Sequence, residues 1–230
     1  MTANSEMPRQ AGDSLWHNTA AGLYSLCCFM RYIPIFPIIL AAGGPGKLGF
    51  AKLLARFGDK TALQIAIENC AGIEAPIVVL GYRAASVRKF LPIGARHVAN
   101  RNWRRGQLTS LIAGLRRVPT GAAFLLYPVD QPLLTRELVA QLVKAFYARQ
   151  PAQKIVMPRV GHRAGHPILC DGSLRGELRA AETAREVVYC DKSRIRYVRV
   201  SDQAIWDDFD SKGSYRRCLR EHRLRQKLRV

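Results

Sequence analysis

Glycines stand at positions 43, 44, 46 and 49, directly after the apolar run Ile38-Ile39-Leu40, with Lys47 among them and Lys52 just beyond. A segment of this kind can hold phosphate. Glycine lets the backbone adopt positive φ and approach an anion with no Cβ in the way, a following helix start offers unpaired N–H groups, and the lysines supply mobile positive charge. The pattern predicts strand, glycine loop and helix, the helix opening at Lys52. The same residues also read as an ordinary βα turn with two solvated lysines. Neither standard phosphate loop is present: G-x-x-x-x-G-K-[ST] is missing, and Gly44-x-Gly46-x-x-Gly49 has dinucleotide spacing without a ribose-binding acid about 20 residues on.

Carboxylates stand at two other places where ligands collect. Ala122 to Tyr127 is fully apolar, as in a central parallel strand, and Asp130 follows its carboxyl end. Later, Asp208-Phe209-Asp210 places two acids at i and i+2, which share a face if the segment is a strand. Between them lie Arg159, Arg163 and His166, able to bind an anionic group, although a lone histidine is more often structural. Earlier, Arg101, Arg104 and Arg105 crowd a turn that Gly106 ends before a helix carrying Leu111, Ile112 and Leu115. Trp103 reads equally as core filler or as a stacking platform.

The elements that must position these residues alternate. Thr61 is a predicted N-cap for a helix from Ala62 to Ala71, Pro76–Leu80 reads as a strand, Ala84–Leu91 as a helix, Thr135 as the cap of a helix from Arg136 to Arg149, and Ile155–Met157 and Ile195–Val200 as strands. This βαβα rhythm predicts an α/β fold of three layers, α/β/α and Rossmann-like, around a mostly parallel mixed sheet. A chain of 230 residues with 48% hydrophobic and 23% charged residues suits one such domain. The excess of 36 Lys and Arg over 17 Asp and Glu, a net charge of +19, implies polyanionic company. Six cysteines without a C-x-x-C pair suggest neither a zinc site nor a disulfide framework, and read as reduced thiols of the cytoplasm. The apolar stretch from Gly22 to Leu40 is broken by Arg31, Pro34 and Pro37, which argues against a membrane span.

Five separated segments resemble one family. Leu40-Ala41-Ala42-Gly43 with Lys47, Gly49 and Lys52 is similar to the L-A-A-G-x-S-x-R-M-G-x-x-K signature of the MobA-like nucleotidyltransferases, nearest their molybdenum cofactor cytidylyltransferase branch; Pro45 replaces Ser and Lys47 replaces Arg. Asn100 to Leu111 resembles N-P-x-W-x-x-G-x-x-x-S-L, Asp130-Gln131-Pro132 resembles G-D-Q-P, Gly165-His166-Pro167 resembles G-H-P, and Asp208-Phe209-Asp210-Ser211 resembles D-I-D-T. Arg185 corresponds to a G-A-R arginine. The resemblance covers roughly Ile33 to Tyr215.

It implies a Mg²⁺-dependent enzyme that transfers a nucleoside monophosphate, CMP from CTP by the Ala41-Ala42-Gly43 form, to a phosphorylated acceptor such as molybdopterin, releasing pyrophosphate. Leu40, Ala41, Ala42, Gly43, Lys47, Lys52, Asn100, Gly106 and Ser110 would bind the nucleotide, with Lys47 and Lys52 catalytic. Asp130 and Asp210, with Asp208 beside them, would hold the metal, and Arg163, Gly165, His166, Pro167 and Arg185 would face the acceptor. A molybdoenzyme under maturation is an implied partner. The expected organisation is a dispensable extension over 1–31, the transferase domain over 32–215 and a basic helical tail over 216–230 that tunes stability or location. The alternatives are a GTP-using or sugar-phosphate transferase, or a basic nucleotide- or RNA-binding accessory protein on the same scaffold, kept open by the net charge.

Overall fold

A computed structural model describes residues 32–228, so the expected extension over 1–31 lies outside the described residues. From Ile33 onward the chain runs β1 (Ile35–Ala41), the short strands β2 (Arg56–Phe57) and β3 (Lys60–Thr61), α1 (Ala62–Asn69), β4 (Ile77–Leu80), α2 (Ala84–Arg88), β5 (Arg96–Ala99), α3 (Gln107–Leu115), β6 (Ala123–Pro128), α4 (Arg136–Tyr147), β7 (Ile155–Val160), β8 (Arg163–Ala164), β9 (Ile168–Cys170), α5 (Arg175–Ala180), α6 (Ala184–Tyr189), β10 (Ile195–Arg199) and α7 (Lys212–Lys227).

The main sheet has the order β10-β7-β9-β6-β1-β4-β5, with β8 added to β7. Strands β5, β4, β1 and β6 are parallel in succession and β10 is parallel to β7, while β9 runs antiparallel between β6 and β7. Every residue of β1 and of β6 is buried, as their unbroken apolar runs require of strands covered on both faces. Alternate residues then serve opposite layers. Ile38, Leu40 and Ala42 pack with Leu111 and Leu115 of α3, Leu178 of α5 and Val187 of α6. Ile35, Ile39 and Ala41 pack with Leu63 of α1, Val87 of α2 and Leu138, Leu142 and Phe146 of α4. Each large side chain buried in this way contributes about 1.5–3 kcal/mol, so the two clusters carry the three-layer architecture.

Local chemistry sets several boundaries. The Thr61 hydroxyl accepts from the Gln64 backbone while the Gln64 side chain accepts from the Thr61 N–H, a reciprocal capping box, and the Thr135 hydroxyl accepts from Leu138 N–H at the start of α4. The helix expected to open at Lys52 does not form. Lys52–Leu54 is one 3-10 turn, the hairpin of β2 and β3 follows, and α1 starts only at Ala62. Phe57, fully buried, accounts for the difference: it joins Leu48, Ala62, Leu133, Phe209 and Cys218 in a third, smaller cluster, and the extended hairpin carries it there. Since α1 satisfies its first N–H groups with its own capping box, the helix dipole expected at the glycine loop is not available there.

The same cluster anchors α7. Cys218 is 1% exposed within it, and Tyr215 sets its ring edge-on against Phe57 at 5.4 Å. The expected boundary between 215 and 216 therefore falls inside one continuous helix, which Ser211 and Ser214 cap reciprocally. No helix among the described residues is long and apolar enough to cross a membrane.

Candidate active site

The carboxyl ends of β1 and β6 lie side by side, and Val129 N–H donates to the Leu40 carbonyl where the ladder ends. The Leu40–Gly43 turn thus comes beside Asp130. The segment 207–210 is laid across them. It is not a strand as expected, but Phe209 is buried between exposed Asp208 and Asp210, so the alternation survives without a ladder. Phe209 N–H donates to the Asp130 carbonyl at 3.2 Å, and Ser211 makes an isolated parallel bridge with Lys47.

These tethers bring two distant acids to one cation. The Lys52 ammonium donates to Asp130 Oδ2 at 2.9 Å and also to Asp210 Oδ1. Burial pulls the Lys52 pKa down, but the fields of Asp130 and Asp210 and the bonds to them outweigh it, and the net direction is up. The Asp208 carboxyl is also raised above its ordinary range, by partial loss of solvation first and then by the charges of Asp210 and Asp130. Among the described residues no group of three or more His, Cys, Asp or Glu side chains is arranged to hold a metal ion. The carboxylates that meet here are Asp130 and Asp210, both on the Lys52 ammonium.

Two cavities open beside this group. The smaller, about 510 Å³, is lined by Leu40, Ala42, Gly43, Gly106 and Ser110, together with Trp103, Arg104, Gln107 and Asp130. Asn100 lies beneath its wall. Its amide donates to the Thr109 and Ser110 hydroxyls at 2.9 and 3.0 Å and its carbonyl accepts from Asn102 N–H at 2.9 Å, so its hydrogen bonds organise the turn itself. Gly106, at φ 109°, makes the entry into α3 that a side chain would resist. Arg104 lies over the Trp103 ring at 4.7 Å, and Trp103 meets Tyr82 edge-on.

The larger cavity, about 710 Å³, collects Arg163, Gly165, His166 and Arg185, with Asp208 and Gln131. Gly165 is where β8 passes under the turn before Trp206: a Cβ there would lie 2.4 Å from the Ile205 carbonyl oxygen. That same carbonyl accepts from His166 N–H at 3.1 Å, and Trp206 Nε1 donates to the Ala164 carbonyl at 3.0 Å. Burial lowers the His166 pKa, against the opposing field of Asp130, so the imidazole is neutral at pH 7. Gln107 lines both cavities, Asp130 the smaller and Asp208 the larger.

Six of the expected residues lie apart from the cavity walls: Lys52 and Asp210, which meet each other, Asn100 beneath the smaller cavity, and Ala41, Lys47 and Pro167. The Ala41 side chain enters the opposite layer, Lys47 is exposed on the loop, and Pro167 is buried behind His166. Conversely, Gln107, Gln131 and Trp206 line the cavities and were not singled out from the sequence. Of these Gln131 carried a signal, its place in the Asp130-Gln131-Pro132 segment that resembles G-D-Q-P.

A family model described as the MobA-like NTP transferase domain matches residues 37–196. A molybdenum cofactor guanylyltransferase of Rhodopseudomonas palustris (strain HaA2) is 32% identical over 177 residues, covering 72% of this chain and 79% of that protein. A nicotine blue oxidoreductase of Paenarthrobacter nicotinovorans is 27% identical over 194 residues, covering 79% of this chain and 95% of that protein. Among solved structures, Rv0371c from Mycobacterium tuberculosis H37Rv superposes with a TM-score of 0.70 at 27% identity, covering 82% of this chain and 98% of that one; the same protein has also been solved in complex with manganese, at 24% identity and a TM-score of 0.66 over 81% of this chain and 98% of that one. With the family's domain matched over most of the chain, the protein belongs to the MobA-like NTP transferase domain family.

Proposed function

We propose that the protein transfers a nucleoside monophosphate from a nucleoside triphosphate to an acceptor bound in the larger cavity. The observation that carries this is the meeting of Asp130, which lines the smaller cavity, with Asp210 on Lys52. An acceptor oxygen attacks the α-phosphorus, the new P–O bond forms as the bond to the β-phosphate oxygen breaks, and pyrophosphate leaves. Such a reaction asks the protein mainly for position and for charge complementarity. Lys52, with Lys47 on the loop, offsets negative charge on the α-phosphate and the leaving group. Backbone N–H groups of the Gly43–Gly49 loop do the same, and Gln107 reaches both ligands.

Asp130 and Asp210 fit a hard divalent cation. Both donors are carboxylate oxygens, they already share one positively charged group, and two carboxylates completed by substrate phosphates and water is the donor set Mg²⁺ favours. When bound, the ion would neutralise phosphate charge and hold the triphosphate in register. CTP is the favoured donor. Ala42 places a methyl group in the wall of the smaller cavity, where the guanylyl form L-A-G-G has only hydrogen, and a narrower wall suits a pyrimidine. The relative named a guanylyltransferase makes GTP the competing donor.

Pyrophosphate release measured with CTP and with GTP, each with and without molybdopterin and Mg²⁺, tests the reading. Acceptor-dependent release that is faster with CTP supports it; release only with GTP moves the donor, and no release with any triphosphate removes the transferase activity. A second reading, redox chemistry, draws on the relative named nicotine blue oxidoreductase. Oxidation of NADH or NADPH in the presence of nicotine blue, with no pyrophosphate formed, would favour it.

A further inference from the structure

The outward face of α7 carries a row of cations that the fold does not use. At 3.6 residues per turn, Lys212, Arg216, Arg220, Arg223 and Lys227 stand within an arc of about 80° on one side of the helix, and all five are exposed. The opposite side is the one that is fixed. Cys218 is buried there, and Tyr215 and His222 set their rings against Phe57 at 5.4 and 5.8 Å. The row is thus a rigid ridge about 22 Å long. Its charge is not answered from within the chain: Asp202 and Glu221 are taken by Arg225 and Asp207 by Arg217, and among the described residues no acid pairs with any of the five. Neighbours along the ridge are three or four residues apart, a spacing at which like charges destabilise a helix. The ridge therefore opposes the helix that displays it, while the inner face and Arg225 hold that helix in place. It also lies beyond residues 37–196, which the family's domain model matches.

We propose that this ridge is a docking surface for the phosphate backbone of a nucleic acid, a function separate from the transfer reaction. Charge complementarity selects the partner. A duplex carries one negative charge per about 1.7 Å, so about a dozen phosphates lie along the length of the ridge and each cation finds one. The core of a protein–protein interface is apolar and rich in aromatic residues, and the centre of this ridge holds neither. Insertion into lipid does not suit it either. Leu224 and Leu228 are 51% and 87% exposed, but they lie about 80–120° round the helix from the ridge centre, with Arg217 between them and Glu221 beside them, so burying the leucines would bury those charges too. A row of cations that reaches phosphates alone reads no bases, and the docking is independent of sequence.

The test uses the full chain and fluorescein-labelled duplexes of RNA and of DNA, about 20 base pairs long and of mixed sequence, followed by anisotropy from about 50 to 200 mM KCl. With five phosphates neutralised, the logarithm of the affinity should fall against the logarithm of salt with a slope of about −4. Arg216→Gln, Arg220→Gln and Arg223→Gln combined should make that slope shallower by about 3 and weaken binding at least tenfold at the lowest salt. Should the triple variant fail to fold, Arg220→Gln alone should make it shallower by about 0.9. Arg116→Gln, Arg117→Gln and Arg179→Gln combined remove the same charge from exposed positions off the ridge and should leave the slope as it is. Similar affinity for RNA and DNA supports recognition of the shared backbone; a preference for one of them that still depends on the ridge supports it too and names the source. Equal losses in the two triple variants would mean that binding follows net charge, and would overturn the proposal. Binding that the ridge variant retains and CTP displaces belongs to the nucleotide loop and overturns it as well. So does the absence of duplex binding alongside ridge-dependent binding to phosphatidylserine vesicles or to polyglutamate, which would move the partner to a lipid surface or an acidic protein.

Discussion

The backbone N–H of Phe209 donates to the carbonyl of Asp130 at 3.2 Å, and this bond sets the spacing of the candidate site. With Phe209 buried, its neighbour Asp210 is turned toward the Lys52 ammonium that Asp130 also holds. If the pair serves a cation and a triphosphate, Asp130→Asn and Asp210→Asn should each lower kcat/KM for pyrophosphate release by at least ~10²-fold, the scale of losing an electrostatic contact in the transition state. Asp208→Asn should cost less. Thermal unfolding of the three variants, run beside the assay, should stay near that of the wild type; activity loss that tracks unfolding would remove the assignment.

Gly165 admits no side chain. Its Cβ would sit 2.4 Å from the Ile205 carbonyl oxygen and 2.8 Å from Ile205 side-chain carbons, with backbone on one side and a fully buried residue on the other. Gly165→Ala should destabilise the protein by about 2–3 kcal/mol in urea unfolding, in the manner of an overpacked core. A stability change below about 0.5 kcal/mol would mean that the strand and the turn before Trp206 part easily.

Asp171 gives a pH dependence. Burial opposes its ionisation, but hydrogen bonds from Ser173 and the charge and hydrogen bond of Arg149, at 2.5 Å, prevail and hold the carboxyl below its usual range. A depressed folded-state pKa means that the stabilisation is complete above the unfolded value of about 3.9 and is lost as pH falls through the folded one. Asp171→Asn should therefore be less stable than the wild type at pH 7 by about 2 kcal/mol, with the gap narrowing steadily below about pH 4. A gap that is the same at pH 3 and pH 7 would show that the charge of Asp171 is not what stabilises.

The basic terminal helix is part of the domain. Arg225 donates through both guanidinium arms to Asp202 at 2.7 and 2.8 Å and through Nε to Glu221 at 2.9 Å, fastening α7 to the turn that leads into 207–210. Ending the chain at Arg217 would remove Cys218 from the cluster that holds Phe57 and Phe209. Such a truncation should lower turnover at least tenfold through misplacement of Asp210, while Arg225→Gln, which keeps the helix, should cost about 1–2 kcal/mol of stability and little activity per folded molecule. Full turnover in the truncated form would return α7 to the role of an appendage.

The order of elements was legible in the chain because it is written in short-range chemistry: an unbroken apolar run for β1 and β6, a threonine hydroxyl before α1 and α4, glycines where β1 must turn. The candidate acids were legible too, Asp130 because it ends a buried strand and Asp210 because a buried phenylalanine separates it from Asp208. What only tertiary structure decided was where Lys52 goes. By local pattern it opens a helix; in the fold it closes a contact with residues 78 and 158 positions away, because Phe57 and Phe209 share one small core that no window of sequence contains. Asn100 likewise has the type of a ligand-binding residue and spends its hydrogen bonds on its own turn. Gln131, plain in the sequence, becomes notable only once burial leaves its amide oxygen without a partner beside the larger cavity. Periodicity and capping act over a few residues and so are readable in one dimension, whereas a shared cation, a cavity wall and an unsatisfied buried group are properties of atoms that meet only when the chain is folded.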